Sequence, residues 1–439
     1  MRRSILSVLF AIALVALARP CRADYELKDG DTVVFLGDSI TAARTYGKIV
    51  ENYTLLRFPN RKVRFYNAGI GGDTAAAAIG RLDRDVFAHA PTVVTVCFGM
   101  NDVGWGLHAD EAHVKAYLEA LKTIVRECRK HKARVIYLTP AVTAADPAAS
   151  EKDFLQTLAD DGAKAVKSAG GETIDVQRGM RTIQKRIWTA NAAVKDEKAK
   201  VTLHLADGVH LNDLGHLAMA FTILEGLGAP KQVSDVVLNA GLGHVVTEDG
   251  CRVSEVKASP ERLEFTRLDE GLPINFGLFG ALQFVWVPFH IAMNRYGLRV
   301  TGLAPGDWEV LADERPLGTY DAKVLAQGLD VASRTTSAWA PGGPWDAQAS
   351  VLAKITDARH DLATALLLDT LWLPTGPVLV PRVTDVDRSD ASLVDLQRVA
   401  ARPRPYRFVV RRPPPPAPGP KPGTQPGTQP GTKPGTKPR

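Results

Sequence analysis

A serine, an asparagine and a histidine three residues after an aspartate occupy three short, glycine-bearing stretches of this 439-residue chain, and a fourth is richer still in glycine. The first is Gly37-Asp38-Ser39-Ile40. It directly follows an apolar β-rich run and precedes a helical pattern, so the Ser39 hydroxyl is expected at the edge of a sheet with its own N–H at a helix start, where a negative oxygen is stabilised. The second, Asn67 to Thr74, holds Gly72, whose backbone could approach a reacting group closely and donate its N–H. The third is Gly99-Met100-Asn101-Asp102, in which the Asn101 side-chain amide is a further donor. The fourth is Asp207-Gly208-Val209-His210. A carboxylate at this spacing can hold the Nδ1–H of the imidazole and leave Nε2 to take a proton from a hydroxyl. Each stretch alone is also a good turn or helix cap. Together they supply a nucleophile, two oxyanion donors and a base with its orienting carboxylate, which is the equipment of acyl transfer.

These residues need a frame that brings them to one place. Strand patterns fall at Thr32–Leu36, Val63–Asn67, Thr92–Phe98, Arg134–Thr139 and Thr173–Val176, and several are apolar on successive positions, as in a parallel sheet covered on both faces. Between Asp110 and Lys132, the residues Val114, Tyr117, Leu118, Leu121, Ile124, Val125 and Cys128 fall on one helical face. Weaker helical patterns cover 42–57, 75–89, 150–169 and 213–226. This alternation predicts a three-layer α/β/α sandwich with a mainly parallel sheet, whose ligand crevice lies beyond the carboxyl ends of the strands. The four stretches fall at that edge.

The four stretches resemble the signature blocks of the SGNH (GDSL-type) serine hydrolases over residues 30–228. The resemblance implies a flavodoxin-like, five-stranded SGNH fold and a carboxylic ester hydrolase that needs no metal or organic cofactor. It also implies Ser39 as nucleophile, His210 as general base, Asp207 as its partner, and the Ser39 N–H, Gly72 and Asn101 as oxyanion donors. Ile40 stands where the family has leucine, a conservative departure. The blocks leave the substrate open. Export and an appended second domain point to O-acetyl groups on a polysaccharide, with a lipid or short-chain acyl ester or thioester as the alternative. Arg44, Tyr46 and Trp105 follow the catalytic turns and are candidates to line a sugar site. More remote readings are a phosphoesterase holding a metal through Asp38, Asn101, Asp207 and His210, and a non-catalytic surface-binding module. His204 and His216 read as surface or capping residues.

The ends of the chain have a different character. Arg2 and Arg3, the apolar stretch Ser4–Ala18 and the sequence Cys21-Arg22-Ala23 read as a signal peptide over 1–23, too short to span a bilayer. The body divides into a hydrolase domain over 24–230 and an accessory α+β domain over 231–410. In the latter, Leu263–Thr266, Leu298–Thr301 and Trp308–Leu311 are strand candidates, Pro305-Gly306 and Pro316-Leu317-Gly318 are turn signals, and 321–333 and 345–370 are helical. The uncharged run Phe276–Phe289 is expected in core or at a domain interface. From 411 to 439 the chain is a Pro/Gly/Thr/Lys repeat without large apolar side chains, hence disordered. The formal charge of +6 arises at the ends: residues 1–23 carry four arginines and 411–439 six cations, with no acid in either, so the body between is acidic. A nucleic-acid-binding protein would hold its positive charge on a folded face, and this chain carries it at the ends, which argues against that class; the basic tail is a candidate contact for an acidic surface polymer. Cys97, Cys128 and Cys251 have neither framework nor zinc spacing and are expected as buried thiols.

Overall fold

The computed structural model describes residues 25–334, 342–372 and 379–414. The signal-peptide reading of 1–23 and the repeats beyond 414 fall outside them. Five strands, β1 (Thr32–Gly37), β2 (Arg64–Gly69), β3 (Val93–Cys97), β4 (Arg134–Leu138) and β5 (Glu172–Ile174), form a sheet of order β2-β1-β3-β4-β5. All its pairings are parallel, with Gly37 level with Gly69 on one side and Cys97 on the other. β3 is buried at every position, which accounts for a sequence that is apolar throughout except at Thr95.

Helices cover both faces, as the strand–helix alternation requires. On one side lie Glu111–Lys130 and Phe154–Ser168, and on the other Thr45–Arg57, Val176–Asn191 and Asp213–Gly226. Glu111–Lys130 starts at Asp110, which accepts the His113 N–H, and buries Tyr117, Leu121, Ile124, Val125 and Cys128. Each large apolar side chain so buried contributes ~2 kcal/mol. The stretch 75–89 is not one helix but a series of short turns, Ala75–Ala78, Ile79–Arg81, Leu82–Asp85 and Phe87–His89. Val176–Asn191 has no counterpart in the sequence reading, which ended a strand at Val176.

Beyond residue 230 come two further sheets. The strands are β6 (Gln232–Asn239), β7 (His244–Asp249), β8 (Cys251–Ser259), β9 (Arg262–Asp269), β10 (Arg295–Thr301), β11 (Asp307–Ala312), β12 (Arg315–Asp321), β13 (Leu329–Asp330) and β14 (Tyr406–Arg411). One sheet has the order β13-β10-β6-β7 and the other β12-β11-β14-β9-β8. Pro316-Leu317-Gly318 lies inside β12 and is not a turn. β12 is an edge strand, where a missing proline N–H removes no ladder bond, and its register shifts where it faces Val310 and Leu311. The helical reading of 321–333 shrinks to Ala322–Gln327. Arg411, assigned to the tail from sequence, closes β14.

The two long helices Pro344–Trp372 and Leu379–Ala401 pack on each other and fold back onto Thr45–Arg57. Apolar contact joins the parts as well: Phe289 meets Tyr53 at 6.1 Å and Phe221 at 6.2 Å, ring centre to ring centre. Phe276 and Phe284 complete that aromatic cluster, while Leu282 and Val285 are exposed. Cys97, Cys128 and Cys251 are buried and unpaired. No described helix is long and apolar enough to cross a membrane.

Candidate active site

β1 ends in Gly37, which must be glycine because a Cβ there would stand 2.1 Å from Thr41 Oγ1 and 2.7 Å from the Cys97 carbonyl oxygen. The chain turns at once into a short helix, α1 (Ser39–Ala42). Asp38 caps it by accepting the Ile40 N–H at 3.0 Å. Ser39 therefore stands half-buried at the carboxyl edge of the sheet. Asn67 ties α1 to β2, donating to the Thr41 carbonyl at 2.8 Å and accepting the Gly69 N–H at 3.0 Å.

Asp207 and His210 arrive on a narrow hairpin. Its arms pair through His204 and Leu211, and the Leu205 N–H donates to the His210 carbonyl at 2.8 Å. The loop after β4 props the tip, with the Ala144 N–H donating to the Gly208 carbonyl at 2.8 Å. Asp207 Oδ1 accepts the N–H groups of Val209 and His210, both at 2.9 Å. Its Oδ2 lies 2.6 Å from His210 Nδ1, and His210 Nε2 lies 2.9 Å from Ser39 Oγ. The Val209 N–H, the imidazole and the His210 N–H together hold the Asp207 carboxyl down at about 2. A permanent carboxylate at Nδ1 fixes the tautomer in which Nε2 is free to accept the hydroxyl proton.

The residues expected as donors, Gly72 and Asn101, stand on the turns after β2 and β3. Gly72 has φ of 74°, the left-handed region where a side chain is strained, and it faces open space. Asn101 Nδ2 donates to the Asp73 carbonyl at 2.9 Å, and its Oδ1 accepts the Trp105 indole N–H at 2.9 Å. The Trp105 ring meets the His210 ring edge-on, 5.7 Å between centres. Burial pushes the carboxyls of Asp38 and Asp102 up to about 6 each.

One important residue escaped the sequence reading. Arg81 is nearly buried and donates to the Asp73 carboxylate at 2.6 and 2.8 Å, to the Ala68 carbonyl at 2.7 Å, to the Gly37 carbonyl at 3.3 Å and to Asp85 at 3.1 Å. It thereby binds the ends of β1 and β2 to the turn that carries Gly72. Only its spacing to Asp85 is visible locally.

Three expectations are corrected. Arg44 is 7% exposed and turns away to His360 Nδ1 at 3.3 Å in the helix Pro344–Trp372, so it does not present itself to a sugar. Tyr46 is fully buried, with its hydroxyl 2.9 Å from Thr41 Oγ1. His204 and His216 are core residues: His204 Nε2 donates to the Val142 carbonyl at 2.9 Å, and His216 stacks on Tyr46. Trp105, by contrast, does reach the site and keeps 45% of its surface exposed.

Asp38, Asp207 and His210 do not group as metal ligands. Among the described residues, the group of three imidazole and carboxylate side chains close enough to share an ion is His108, Asp110 and His113, all exposed.

Residues 35–218 match the GDSL-like lipase/acylhydrolase family. The chain carries a GDSL-family hydrolase domain. An acetylxylan esterase of Geobacillus stearothermophilus is 27% identical to it over 228 residues, which is 46% of this chain and 96% of that protein. This GDSL domain is that of a carboxylic ester hydrolase. A gut microbial diltiazem-metabolizing enzyme shares the fold more widely, with a TM-score of 0.76 over 89% of this chain and 99% of its own, at 23% identity. The likeness of fold therefore extends past the GDSL domain into the sheets and helices that follow it.

Proposed function

We propose that the protein is an exported serine esterase that removes O-acetyl groups from a carbohydrate through a Ser39–His210–Asp207 acyl-enzyme mechanism. The observation that carries this reading is the unbroken chain of hydrogen bonds from Asp207 through His210 to Ser39, at 2.6 and 2.9 Å. His210 takes the Ser39 proton as the oxygen attacks the ester carbonyl. The negative oxygen of the tetrahedral intermediate is met by the N–H groups of Ser39 and Gly72 and by the amide of Asn101. His210 returns the proton to the leaving alcohol, and water repeats the sequence on the acyl-enzyme.

A small acyl group suits the space beside Ser39. A small crevice lined by Asp38, Ile40, Phe98, Met100, Pro140 and Val209 adjoins the turn that carries Ser39, and a space of that size would suit a methyl group better than a long chain. The acetylxylan esterase likeness supports the carbohydrate as the alcohol partner. The leader-like residues 1–23 support export, and the basic repeats after 411 would suit contact with an acidic surface polymer.

The decisive comparison is turnover of acetylated xylo-oligosaccharides against 4-nitrophenyl esters of increasing chain length. Ser39→Ala should lower kcat by at least ~10⁴-fold on every substrate, and Asn101→Ala by about 10²-fold. Preference for long-chain esters over acetylated sugars would remove the carbohydrate assignment, and turnover undiminished in Ser39→Ala would remove the mechanism.

A further inference from the structure

An asparagine amide serves an oxyanion only if its nitrogen, and not its oxygen, faces the reacting carbonyl. The two ends are nearly identical in shape, so packing alone does not choose between them. Hydrogen bonds must, and around Asn101 they are explicit. An indole N–H donates and has no lone pair to accept with, so Trp105 Nε1, 2.9 Å from Oδ1, requires the oxygen on its side. The Asp73 carbonyl accepts and cannot donate, so at 2.9 Å it requires the nitrogen. Rotating the amide by half a turn would break both contacts and set oxygen against oxygen at Asp73.

With one Nδ2 hydrogen given to Asp73, the second remains for the substrate. We infer that Trp105 is a positioning residue for ester hydrolysis: its indole N–H locks the Asn101 amide with the nitrogen toward the oxyanion, while its ring edge steadies the His210 imidazole. The inference rests on the assignment of Ser39, His210 and Asn101 made above.

The backbone around Trp105 is consistent with a residue held in place for its side chain. Trp105 has φ of 59°, strained for a bulky residue, between Gly104 at 54° and Gly106 at 92°. The turn is closed onto the asparagine itself: the Gly104 N–H donates to the Asn101 carbonyl at 3.0 Å and the Trp105 N–H to the Met100 carbonyl at 2.9 Å. The indole, the amide and the imidazole thus sit on one short turn and its neighbour, with the ring centres of Trp105 and His210 5.7 Å apart at 66°. On the far side, Asp73 is fixed by the Arg81 guanidinium at 2.6 Å, so both anchors of the amide are themselves anchored.

The test is a double-mutant cycle on the full chain with 4-nitrophenyl acetate, using Trp105→Phe, Asn101→Ala, the double variant and Ser39→Ala. Phenylalanine keeps an aromatic ring near His210 but removes the N–H together with the second ring of the indole, so the Asn101→Ala background is what separates the lost hydrogen bond from the lost bulk; the residue is 45% exposed, so folding is not at stake. Trp105→Phe should lower kcat about 10-fold with KM nearly unchanged, less than the 10²–10³ lost with the whole donor. In the Asn101→Ala background the same change should cost almost nothing, because there is no amide left to orient. Independent, multiplicative losses would overturn the lock, as would a rise in KM at constant kcat, the signature of a substrate platform. Wild-type kinetics for Trp105→Phe, with Ser39→Ala inactive and Asn101→Ala slowed as expected, would overturn the lock and leave the mechanism standing. Turnover surviving in Ser39→Ala would overturn both.

Discussion

Asp38 stands between the last residue of β1 and Ser39 with 5% of its surface exposed, and burial raises its carboxyl from 3.8 to about 6. The folded protein therefore holds this proton more tightly than the unfolded chain does. Asp38 is neutral for stability below pH ~4 and imposes a growing penalty as the pH rises through 6, levelling off at ~3 kcal/mol. Asp38→Asn preserves an acceptor for the Ile40 N–H and removes the charge. In urea denaturation the variant should be more stable than the wild type at pH 8 and no different at pH 4; an equal offset at both would refute the assignment. The residues proposed to carry the chemistry could be singled out in sequence because their donor and acceptor capacities are local properties, set by residue type and the turn that holds them. Arg81 was not, because its partners Gly37, Ala68 and Asp73 come from other segments. His204 and His216 were misplaced for a related reason: an imidazole with a polar tip gives no sign in sequence of whether that tip meets water or, as at His204, a buried carbonyl.

At the scale of elements, the site depends on three turns after three neighbouring strands keeping their spacing, and Arg81 is what holds two of them. Arg81→Met should remove that link and leave the Asp73 carboxylate, 8% exposed, without its cation, at a cost of about 3–5 kcal/mol. Because Asp73 also anchors Asn101, kcat should fall further than the loss of folded protein explains; a stability loss with unchanged kcat per folded molecule would show that Arg81 serves the fold alone. The parallel sheet was readable because its central strands β1, β3 and β4 are covered on both faces and are written as largely apolar runs. The helix Val176–Asn191 was missed although Val176, Met180, Ile183 and Ile187 make a buried stripe, because Asp175 caps the helix immediately after β5 and the two patterns merge at Val176. The stretch 75–89 failed in the opposite sense, its apolar spacing being satisfied by four tight turns in succession.

At the scale of the molecule, the helical hairpin after residue 344 is docked by charge. Glu51, fully buried in the helix Thr45–Arg57, receives Arg359 at 2.7 Å, His360 at 2.9 Å and Gln397 at 2.8 Å. Burial opposes ionisation of Glu51, but Arg359 and the other donors outweigh it and hold the carboxyl below its ordinary value. Arg359 also donates to the Phe65 carbonyl on β2, the edge strand of the parallel sheet, at 3.2 Å and so covers an open edge. Arg359→Ala should destabilise the whole chain by about 3–5 kcal/mol, whereas Lys48→Ala, which breaks the exposed pair with Asp357, should cost under ~1 kcal/mol. Comparable effects from the two, measured by chemical denaturation, would contradict a docking role for the buried cluster. None of this was visible in sequence, since Glu51 and Arg359 are 308 residues apart and each reads locally as a surface charge on a helix.

β14 is the last strand among the described residues yet lies in the middle of its sheet, between β11 and β9. During synthesis those two neighbours must wait with open backbone edges until residue 411 arrives. The parallel sheet, whose strands follow one another closely, has no such delay. Maturation should thus proceed in two stages, with the esterase half able to assemble early and the rear half closing only when Tyr406–Arg411 slides into its slot.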